Sequence, residues 1–417
     1  MTRSLFSSER TKLTQKEYFP QDIFSNGKPG QYSPRVMIAP HRYIQGVGVL
    51  DHLGHYLKIV PSRHPAMLIT DGGMKRIGER LLDTLGKTQI IPETLIFGGE
   101  CSDEEVWRHV AQLQGRHVDG LIVVGGGKCL DAGKCIAHCV SVPAIICPTL
   151  ASTDAPCSAV SVMYTPEGIF DRPWFFPESP ALVVVDTGVI VQAPVRYLVA
   201  GMGDAMSTYY EARTCFRNPK AITMVGARPT AAVSAIAELA AKILFENGTD
   251  ALTTAVKSEV NEAVENVVEA NTLLSGMGFE SGGLAASHSV AQILPMIPSL
   301  HENYLHGEMV AVGLLAHLCL ENEESEALRV AGFFSRIGLP VHLGQLSLSI
   351  EQNSRLLDEV IGEALKIFFV HNEPFEVTPE KLKRAMLRAY QLGKEVSRDL
   401  GEEAFKRLHH PDNDHRS

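Results

Sequence analysis

The chain has 417 residues, with 48 acidic side chains against 38 basic ones and a formal net charge of -10 at pH 7. That length allows two ordinary domains, and a composition of 45% hydrophobic and 21% charged residues is typical of a soluble globular protein. The acidic balance, without a basic stripe interleaved with aromatics, argues against a nucleic-acid partner. No apolar run is long enough to span a bilayer, which argues against a membrane protein.

Residues 1–33 precede the first recognisable element and are interpreted as an N-terminal extension. They contain no apolar signal-peptide core. Their mildly basic, serine-containing start leaves a transit peptide open, but a disordered arm or an extra surface segment is the preferred interpretation. We therefore expect a cytoplasmic protein, with a mitochondrial location as the alternative. The eight cysteines form no CxxC pair and stand mostly in apolar runs, which favours buried reduced thiols.

From about Val36 to Val191, short apolar runs alternate with amphipathic segments. Runs rich in Val and Ile that end at Gly, Pro or Asp are typical of buried strands. Alternating strands and helices predict a parallel sheet with crossover helices, so we assign residues 34–192 to an α/β domain. The predicted strands cover 66–70, 93–99, 120–127, 144–148 and 181–186, and the predicted helices between them include 73–86 and 104–115.

After Pro194 the strand signals stop, and long segments carry helical periodicity instead. We therefore predict an all-helical domain over residues 193–417, with the boundary near 190–195. The clearest predicted helices cover 231–248, 255–276, 309–324, 324–338 and 379–396.

The strongest signal in the α/β half is VVGGGKCLDAGKCIAH, residues 123–138, in which a strand meets three glycines and then a helix. Glycines 125–127 let the backbone approach a ligand closely, and the N–H groups of the following helix favour an anion such as a pyrophosphate. The segment is not GxGxxG, because that pattern fails at Leu130, and it is not a Walker loop. Such a turn often serves geometry alone. However, Lys128 directly after it and Gly133 inside the helix favour a ligand or close packing.

A second loop follows the next strand and is dense in small polar side chains, among them Thr149, Ser152, Asp154 and Ser158. Such residues before a helix usually form no more than a capping turn. Loops at the carboxyl ends of neighbouring parallel strands, however, converge on one crevice. We therefore expect this loop and the glycine turn to face the same ligand.

One carboxylate of the helical half, Asp204, stands alone among glycines, alanines and methionines in LVAGMGDAMSTYYEA. A charge that enters an apolar interior has to be paired, hydrogen-bonded or bound to a metal. His288 and His306, both in surroundings rich in small residues, complete a set of three ligands, and three protein ligands with an open position are the pattern of a catalytic zinc site. Spacing alone leaves ordinary core histidines as the alternative, and His301 and His317 are equally available.

Five blocks together resemble the glycerol dehydrogenases of the iron-containing alcohol dehydrogenase superfamily: GGGKCLDAGK, PTLASTDAPCSAVSVMYTPEG, APVRYLVAGMGDAMSTYYEA, GFESGGLAASH and LHGE, in that order. The resemblance implies a dehydroquinate synthase-like architecture with an α/β dinucleotide-binding domain and an all-helical metal-binding domain. It implies Asp204, His288 and His306 as metal ligands and Asp154 as the residue that contacts the polyol. The cofactor contacts that it implies are Asp71, Gly125, Gly126, Gly127, Lys128, Asp131, Thr149, Ser152, Ser158, Val160 and Tyr164.

The implied reaction is the NAD-dependent oxidation of glycerol, or of a related vicinal diol, to the ketone (dihydroxyacetone). A divalent ion acts as a Lewis acid on a hydroxyl, and the carbon of the resulting alkoxide gives a hydride to the nicotinamide. Zinc is expected from the two nitrogen ligands, although iron accepts the same set. Asp71 is expected to accept hydrogen bonds from ribose hydroxyls and so to select NAD over NADP. The implied assembly is a homo-oligomer, an octamer, with a small polyol as substrate.

Some positions depart from the family pattern. After the first metal histidine the family has a second histidine and Asn-Gly, where this chain has Ala291, Gln292 and Ile293. Cys129 stands where Thr is usual, and HGEMV replaces HGEKV.

Two alternatives stay open. A dehydroquinate-synthase-like lyase uses a metal and NAD on the same architecture, but it needs more basic residues around the metal than this chain offers. A non-catalytic NAD-binding descendant is supported only by the changes after His288, and the intact set of Asp204, His288 and His306 argues against it.

Overall fold

The computed structural model describes residues 18–25, 33–60, 62–348, 350 and 354–410. Its strands are β1 (Tyr43–Gly46), β2 (Pro65–Thr70), β3 (Glu93–Phe97), β4 (Gly120–Gly125), β5 (Ala144–Pro148), β6 (Val160–Tyr164), β7 (Phe170–Phe175) and β8 (Leu182–Asp186). Six of them form a wholly parallel sheet in the order β1-β8-β5-β4-β2-β3. The other two, β6 and β7, form an antiparallel hairpin.

All five predicted strands are present in the parallel sheet. Their side chains alternate between two hydrophobic clusters, one on each face, with Leu68 and Val123 on one face and Ile69 and Ile122 on the other. A sheet covered on both faces explains why these strands read as continuous apolar runs. The sequence did not reveal β1, which has four half-buried residues, or the β6–β7 hairpin, whose second strand is largely exposed and contains Pro173.

Helices of the first half flank the sheet. They are α2 (Leu53–Tyr56), α3 (Asp71–Gly73), α4 (Glu79–Gly86), α5 (Asp103–Leu113), α6 (Gly127–Val140) and α7 (Thr187–Ile190), with a 3-10 turn at Val49–His52 and a π turn at Met74–Gly78. The short α1 (Pro20–Phe24) lies instead against the helical half, where Gln21 Nε2 donates to Met224 O at 2.6 Å. Local chemistry sets where the helices begin. Ser102 Oγ, for example, accepts the N–H of Glu105 and caps α5. Gly133 in α6 packs on β4, because a Cβ there would lie 2.4 Å from the side chain of Val123.

The regular elements among the described residues of the second half are helices, apart from one bridge residue, Arg228. The helices are α8 (Val195–Arg217), α9 (Ala231–Ala255), α10 (Glu262–Glu269), α11 (Ser275–Gly282), α12 (Ala286–Ala291), α13 (Pro298–Asn303), α14 (His306–Leu320), α15 (Glu324–Ile337), α16 (Ser354–Ala364), α17 (Pro379–Leu400) and α18 (Glu403–Leu408). A π turn at Ala270–Leu274 joins α10 to α11, and 3-10 turns occupy Leu294–Met296 and Phe368–Asn372. The buried α14 lies at the centre and packs against α8, α12 and α17.

The two halves meet at the loop after β5. A Cβ on Gly201 of α8 would lie 2.0 Å from the carbonyl oxygen of Ala151, so only glycine allows the helix this close to the loop. Asn271, in the π turn, donates from Nδ2 to Ala151 O at 2.9 Å and to Leu198 O at 3.0 Å. These contacts hold the loop between the sheet and the helices. A ligand bound at the edge of the sheet would meet there a second ligand bound by the helical half.

The last strand of the sheet ends at Asp186 and α8 begins at Val195, around the predicted boundary of 190–195. Residues near position 34 contact the helical half. The backbone of Arg35 forms an isolated parallel β-bridge with that of Arg228, and Ile38 N donates to Ser281 Oγ at 2.8 Å. The division into 34–192 and 193–417 therefore stays a prediction. Of the N-terminal extension, residues 1–17 and 26–32 lie outside the described residues.

All eight cysteines carry free thiols, and seven of them are buried, as the sequence predicted. Among the described residues, we find no helix with both the length and the apolar character that crossing a membrane requires.

Candidate metal centre and cofactor crevice

Three ligand-bearing side chains come together from three helices. Asp204 lies inside α8, His288 inside α12, and His306 is the first residue of α14. Asp204 Oδ1 lies 3.4 Å from His288 Nε2 and 3.6 Å from His306 Nε2, and one ligand atom from each residue lies within 4.8 Å of the others. The structure thus brings together the three predicted ligands, and neither His301 nor His317 belongs to the cluster.

Small residues next to the ligands make this approach sterically feasible. A Cβ on Gly307 would lie 1.9 Å from the carbonyl oxygen of Ala200, and one on Gly203 would lie 2.5 Å from Gly307 O. The backbones of α8 and α14 therefore touch at these glycines. The contact places Asp204 next to His306. It also explains why glycine stands next to each of these residues, since a larger side chain would keep the two helices apart.

The donor set fits a divalent cation. Both carboxylate oxygens of Asp204 are buried, and neither has a hydrogen-bond partner. An unpaired buried charge is costly, whereas a bound cation would satisfy both oxygens at once. The side chain of His306 is 44% exposed, so the cluster opens to solvent on that side. One carboxylate and two imidazoles with an open side match the ligand set of a catalytic zinc site.

A buried carboxylate that sequence reasoning missed, Glu211, orients His288. Glu211 Oε1 accepts the N–H groups of Ala285 and His288 at 2.8 and 2.9 Å, and its Oε2 accepts from His288 Nδ1. With its proton on Nδ1, the ring presents the lone pair of Nε2 to Asp204 and to a cation. The signal was available, because Glu211 follows Asp204 by two helical turns on the same face of α8.

Charges within the cluster shift the pKa values of both Glu211 and His288. Burial alone would raise the pKa of the Glu211 carboxyl, but His288 and His317 outweigh it and hold that pKa below its usual range. Burial likewise opposes protonation of His288, yet Glu211 and Asp204 raise the pKa of its imidazole well above the usual range. The surplus of buried negative charge therefore draws a positive charge into the site, whether a proton or a metal ion.

A second buried ion pair joins the helices that carry Asp204 and His306. Arg196, at the start of α8, donates from Nε to Glu308 Oε1 at 2.7 Å and from Nη2 to Glu308 Oε2 at 2.8 Å. Glu308 Oε2 also accepts the N–H of Leu305, directly before His306. Burial would raise the pKa of Glu308, but Arg196 and His409 lower it to about 2. The sequence did not predict this ion pair, which fixes the start of α14.

Most of the predicted cofactor residues lie at the carboxyl ends of β5, β4 and β2, which are neighbours in the sheet. Asp131 lies inside α6 instead, and Val160 and Tyr164 lie in β6 of the hairpin. Thr149 N donates to Gly125 O at 2.9 Å, and a Cβ on Gly126 would lie 2.8 Å from Leu150 Cδ1. The glycine turn and the loop after β5 therefore lie side by side, as expected. The strand order reverses between β2 and β4, and such a switch point is where open α/β sheets bind ligands.

The turn also presents backbone donors. Helix α6 begins after Gly126, and no side chain caps its first N–H groups. An anion at this end would accept from these groups and would be favoured by the helix dipole. Lys128 pairs with Glu100 at 2.6 Å, and its Nζ lies 4.9 Å from the ring centre of Tyr164. These three side chains form one wall of the crevice, and Glu100 was missed from the sequence.

Three of the predicted cofactor residues are engaged within the protein itself. Asp131 Oδ2 accepts Val162 N at 3.0 Å, and its Oδ1 lies 2.9 Å from Lys134 Nζ. Lys134 in turn donates to Ala155 O at 2.9 Å and to Val160 O, and its Nζ lies 3.4 Å from Ser158 Oγ. This buried lysine shapes the loop after β5 from below, and Asp131, Ser158 and Val160 are its partners.

Two predicted site residues occupy the two ends of the crevice. Asp71 is exposed at the start of α3, where its carboxylate pairs with Lys75 at 2.5 Å. Asp154 lies in the loop after β5, where burial and the charge of Asp204 raise the pKa of its carboxyl well above the usual range. A Cβ on Gly276 would lie 3.0 Å from Asp154 O, so this loop also touches α11. The same loop thus borders both the glycine turn and the metal centre.

The departures from the family pattern lie close to His288. Ala291 is one helical turn after His288 on α12 and is buried, as is Ile293. A methyl group and an alkyl chain therefore stand where the family carries an imidazole and no side chain.

A parallel sheet with a glycine turn, next to a helical half that carries one carboxylate and two imidazoles, is the arrangement of a metal-dependent oxidoreductase. The family model of iron-containing alcohol dehydrogenases matches residues 40–187. The glycerol dehydrogenase of Escherichia coli CFT073 is 42% identical over 363 residues, which cover 86% of this chain and 97% of that protein. The chain therefore belongs to the iron-containing alcohol dehydrogenase family, among its glycerol dehydrogenases.

Two further similarities agree with this assignment. A glycolaldehyde reductase of Halobacterium salinarum is 36% identical over 365 residues, with 87% of this chain and 98% of that protein covered. The crystal structure of glycerol dehydrogenase from Schizosaccharomyces pombe superposes with a TM-score of 0.82 at 33% identity, covering 88% of this chain and 94% of that one. The predicted fold class is thus confirmed. An oxidoreductase is favoured over both the lyase and the non-catalytic alternative.

Proposed function

We propose that this chain oxidises glycerol, or a closely related vicinal diol, to the ketone with NAD as the hydride acceptor. The observation that carries the proposal is the loop after β5. It borders the glycine turn through Thr149, and the carbonyl group of Ala151 lies against Gly201 of α8, one helical turn before Asp204. A cofactor in the crevice and a substrate at the ligand cluster would therefore lie next to each other. The 42% identity to a glycerol dehydrogenase supports the choice of substrate.

Zinc is the proposed ion, held by Asp204, His288 and His306, and iron accepts the same ligands. When bound, a divalent ion supplies Lewis-acid chemistry that lowers the pKa of a hydroxyl. The chain's own residues do the positioning. Asp204 contributes the negative charge, Glu211 holds the proton on His288 Nδ1, and the half-exposed His306 stands at the open side.

The proposed NAD site follows the crevice. The pyrophosphate would take the backbone donors of Gly125, Gly126 and Gly127, and the adenosine ribose would reach Asp71 at the exposed end. Lys128, Thr149, Ser152 and Tyr164 are proposed as direct contacts. Asp131, Ser158 and Val160 act through Lys134, because their polar atoms already bind it or its neighbours. A homo-octamer is a further proposal that comes from the resemblance alone. The proposed cytoplasmic location comes from the interpretation of the N-terminal residues.

The function is tested by following NADH absorbance with a panel of polyols, with and without added zinc, after removal of metal by a chelator. We expect zinc-dependent NADH formation with glycerol and weaker formation with simple alcohols. Reduction of glycolaldehyde with NADH belongs in the panel, because a relative carries that name and the substrate also has two adjacent oxygens. NADH-independent turnover of a phosphorylated substrate would support the lyase, and no turnover at all would support the non-catalytic descendant.

Replacing Asp154 by Asn is expected to lower kcat/KM for glycerol. The lost contact would leave a substrate hydroxyl without one of its hydrogen-bond partners, which costs about 1–3 kcal/mol, or about five- to a hundredfold in rate. NAD binding and zinc content should hold, and a simple secondary alcohol without a second hydroxyl should lose less. If Asp154 were only a helix cap, Asn would replace it well, so unchanged glycerol kinetics would remove it from the substrate site.

NAD is expected to be preferred over NADP, because the exposed carboxylate of Asp71 would accept hydrogen bonds from the ribose hydroxyls and would repel a 2′-phosphate. Comparing kcat/KM for the two cofactors in the unmodified chain and in Asp71→Gly measures the preference. Asp71→Gly should reduce the ratio of kcat/KM for NAD to that for NADP. Lys75→Ala, which removes the ion-pair partner of Asp71 but keeps the carboxylate, serves as the control. Equal use of both cofactors by the unmodified chain would contradict the assignment.

A further inference from the structure

The last described helix, α18, packs closely against the end of α15, where its backbone contacts Gly338. Gly338, with φ of 89°, ends α15 in the left-handed region. A Cβ on it would lie 2.8 Å from Ala404 O and 2.6 Å from Leu408 Cδ1. The side chain of Leu408 is buried in the core. The end of the described chain is thus held in one place, and the residue after α18 has a defined position.

That residue is His409, whose two ring nitrogens both face oxygen acceptors. Nδ1 lies 2.8 Å from Phe405 O within the same helix, and Nε2 lies 2.9 Å from Glu308 Oε1 in α14. The ring stacks on Phe405 with centroids 3.9 Å apart, and the side chain is 12% exposed. A well-packed imidazole therefore donates a hydrogen bond to a buried carboxylate from a segment about a hundred residues away in the chain.

Glu308 is the residue through which this contact would reach the metal centre. It lies two residues after His306, its Oε2 accepts Leu305 N at 2.8 Å, and Arg196 of α8 donates to both of its oxygens. The carboxylate therefore ties the helix that carries Asp204 to the turn that carries His306. A shift of Glu308 would move His306 relative to Asp204.

We propose that α18 and His409 form a positioning element of the metal centre. His409 completes the hydrogen-bond set of Glu308, and Glu308 holds the first turn of α14 so that His306 faces Asp204. His409 itself touches neither substrate nor cofactor and acts through Glu308. The inference rests on the proposed metal site and assigns a role to the C-terminal segment.

Three substitutions of His409 separate its two hydrogen bonds. In His409→Gln the amide nitrogen stands near the place of Nε2 and keeps the donor to Glu308. In His409→Asn the amide nitrogen stands near the place of Nδ1 and keeps only the bond to Phe405 O. His409→Ala removes both bonds, and Lys406→Ala, an exposed position on the same helix, is the control.

The measurement is the zinc affinity of the metal-free protein, obtained by competition with a chromophoric chelator, together with the melting temperature of each metal-free variant. Residues outside the ligands that orient them are worth about ten- to a hundredfold in metal affinity. We expect His409→Ala and His409→Asn to fall at the weak end, about tenfold. His409→Gln and Lys406→Ala should keep the affinity of the unmodified chain.

The outcomes are distinct. Zinc affinity that stays unchanged in His409→Asn would overturn the inference, and so would an equal loss in His409→Gln and His409→Ala. If His409→Ala fails to fold, the Asn and Gln variants decide the question between them. If the unmodified chain binds no zinc, the metal site itself is wrong and the inference falls with it. Zinc binding that no His409 variant alters would overturn the inference alone.

Discussion

Asp204→Asn, His288→Ala and His306→Ala are each expected to abolish turnover while the metal-free protein stays folded. The three residues would hold the ion whose positive charge lowers the pKa of the hydroxyl, an effect of several kcal/mol, and about 4 kcal/mol corresponds to about a thousandfold in rate. Asp204→Asn should leave the metal-free protein folded, because it removes part of the surplus buried negative charge while Glu211 remains as the partner of His288.

The measurements are NADH formation and zinc content by elemental analysis, which should fall together. His301→Ala is the matched control, because this histidine lies on α13 nearby in the chain but outside the ligand cluster. It should retain both zinc and turnover. A triple variant of Asp204, His288 and His306 that still binds zinc stoichiometrically would show that the ligand assignment is wrong.

Glu211→Gln is expected to weaken zinc binding by about ten- to a hundredfold, the usual effect of losing a partner that orients a ligand. Glu211 accepts two backbone N–H groups on Oε1 and the proton of His288 Nδ1 on Oε2. A glutamine has a single acceptor oxygen, so its NH2 group would face either His288 Nδ1 or the two backbone N–H donors. The tautomer that leaves Nε2 unprotonated then loses its support.

The assay is the dependence of turnover on added zinc. In Glu211→Gln the zinc requirement should shift upward, and saturating zinc should restore part of the rate, which general destabilisation would not produce. Glu280→Gln is the matched control. Glu280 is also a buried carboxylate of the helical half, burial raises its pKa to about 7, and it accepts Ala159 N at 3.0 Å, a bond that Gln retains. An unchanged zinc requirement in Glu211→Gln would show that Glu211 serves only the fold.

Features that depend on neighbours in the chain were readable from the sequence by itself. Runs such as LIVVG become buried strands because both of their faces have to be apolar, and the glycine turn after β4 needs only consecutive residues. The same holds for Asp204, because a lone carboxylate in an apolar helix demands a partner wherever the helix lies. The ligand set itself needed the resemblance, since spacing alone did not separate His288 and His306 from His301 and His317.

The tertiary structure alone decided which side chains support the site. The spacing within α8 places Glu211 on the face of Asp204, but it does not identify His288, 77 positions away, as its partner. His409 meets Glu308 across 101 positions, and no local pattern indicates that contact. Asp131 shows the same limit, because its carboxylate lies against Lys134 and a strand of the hairpin that the sequence did not reveal. Backbone propensity and burial act over a few residues, whereas these partners are set by how helices cross at Gly203 and Gly307. That crossing depends on the packing of the whole helical half.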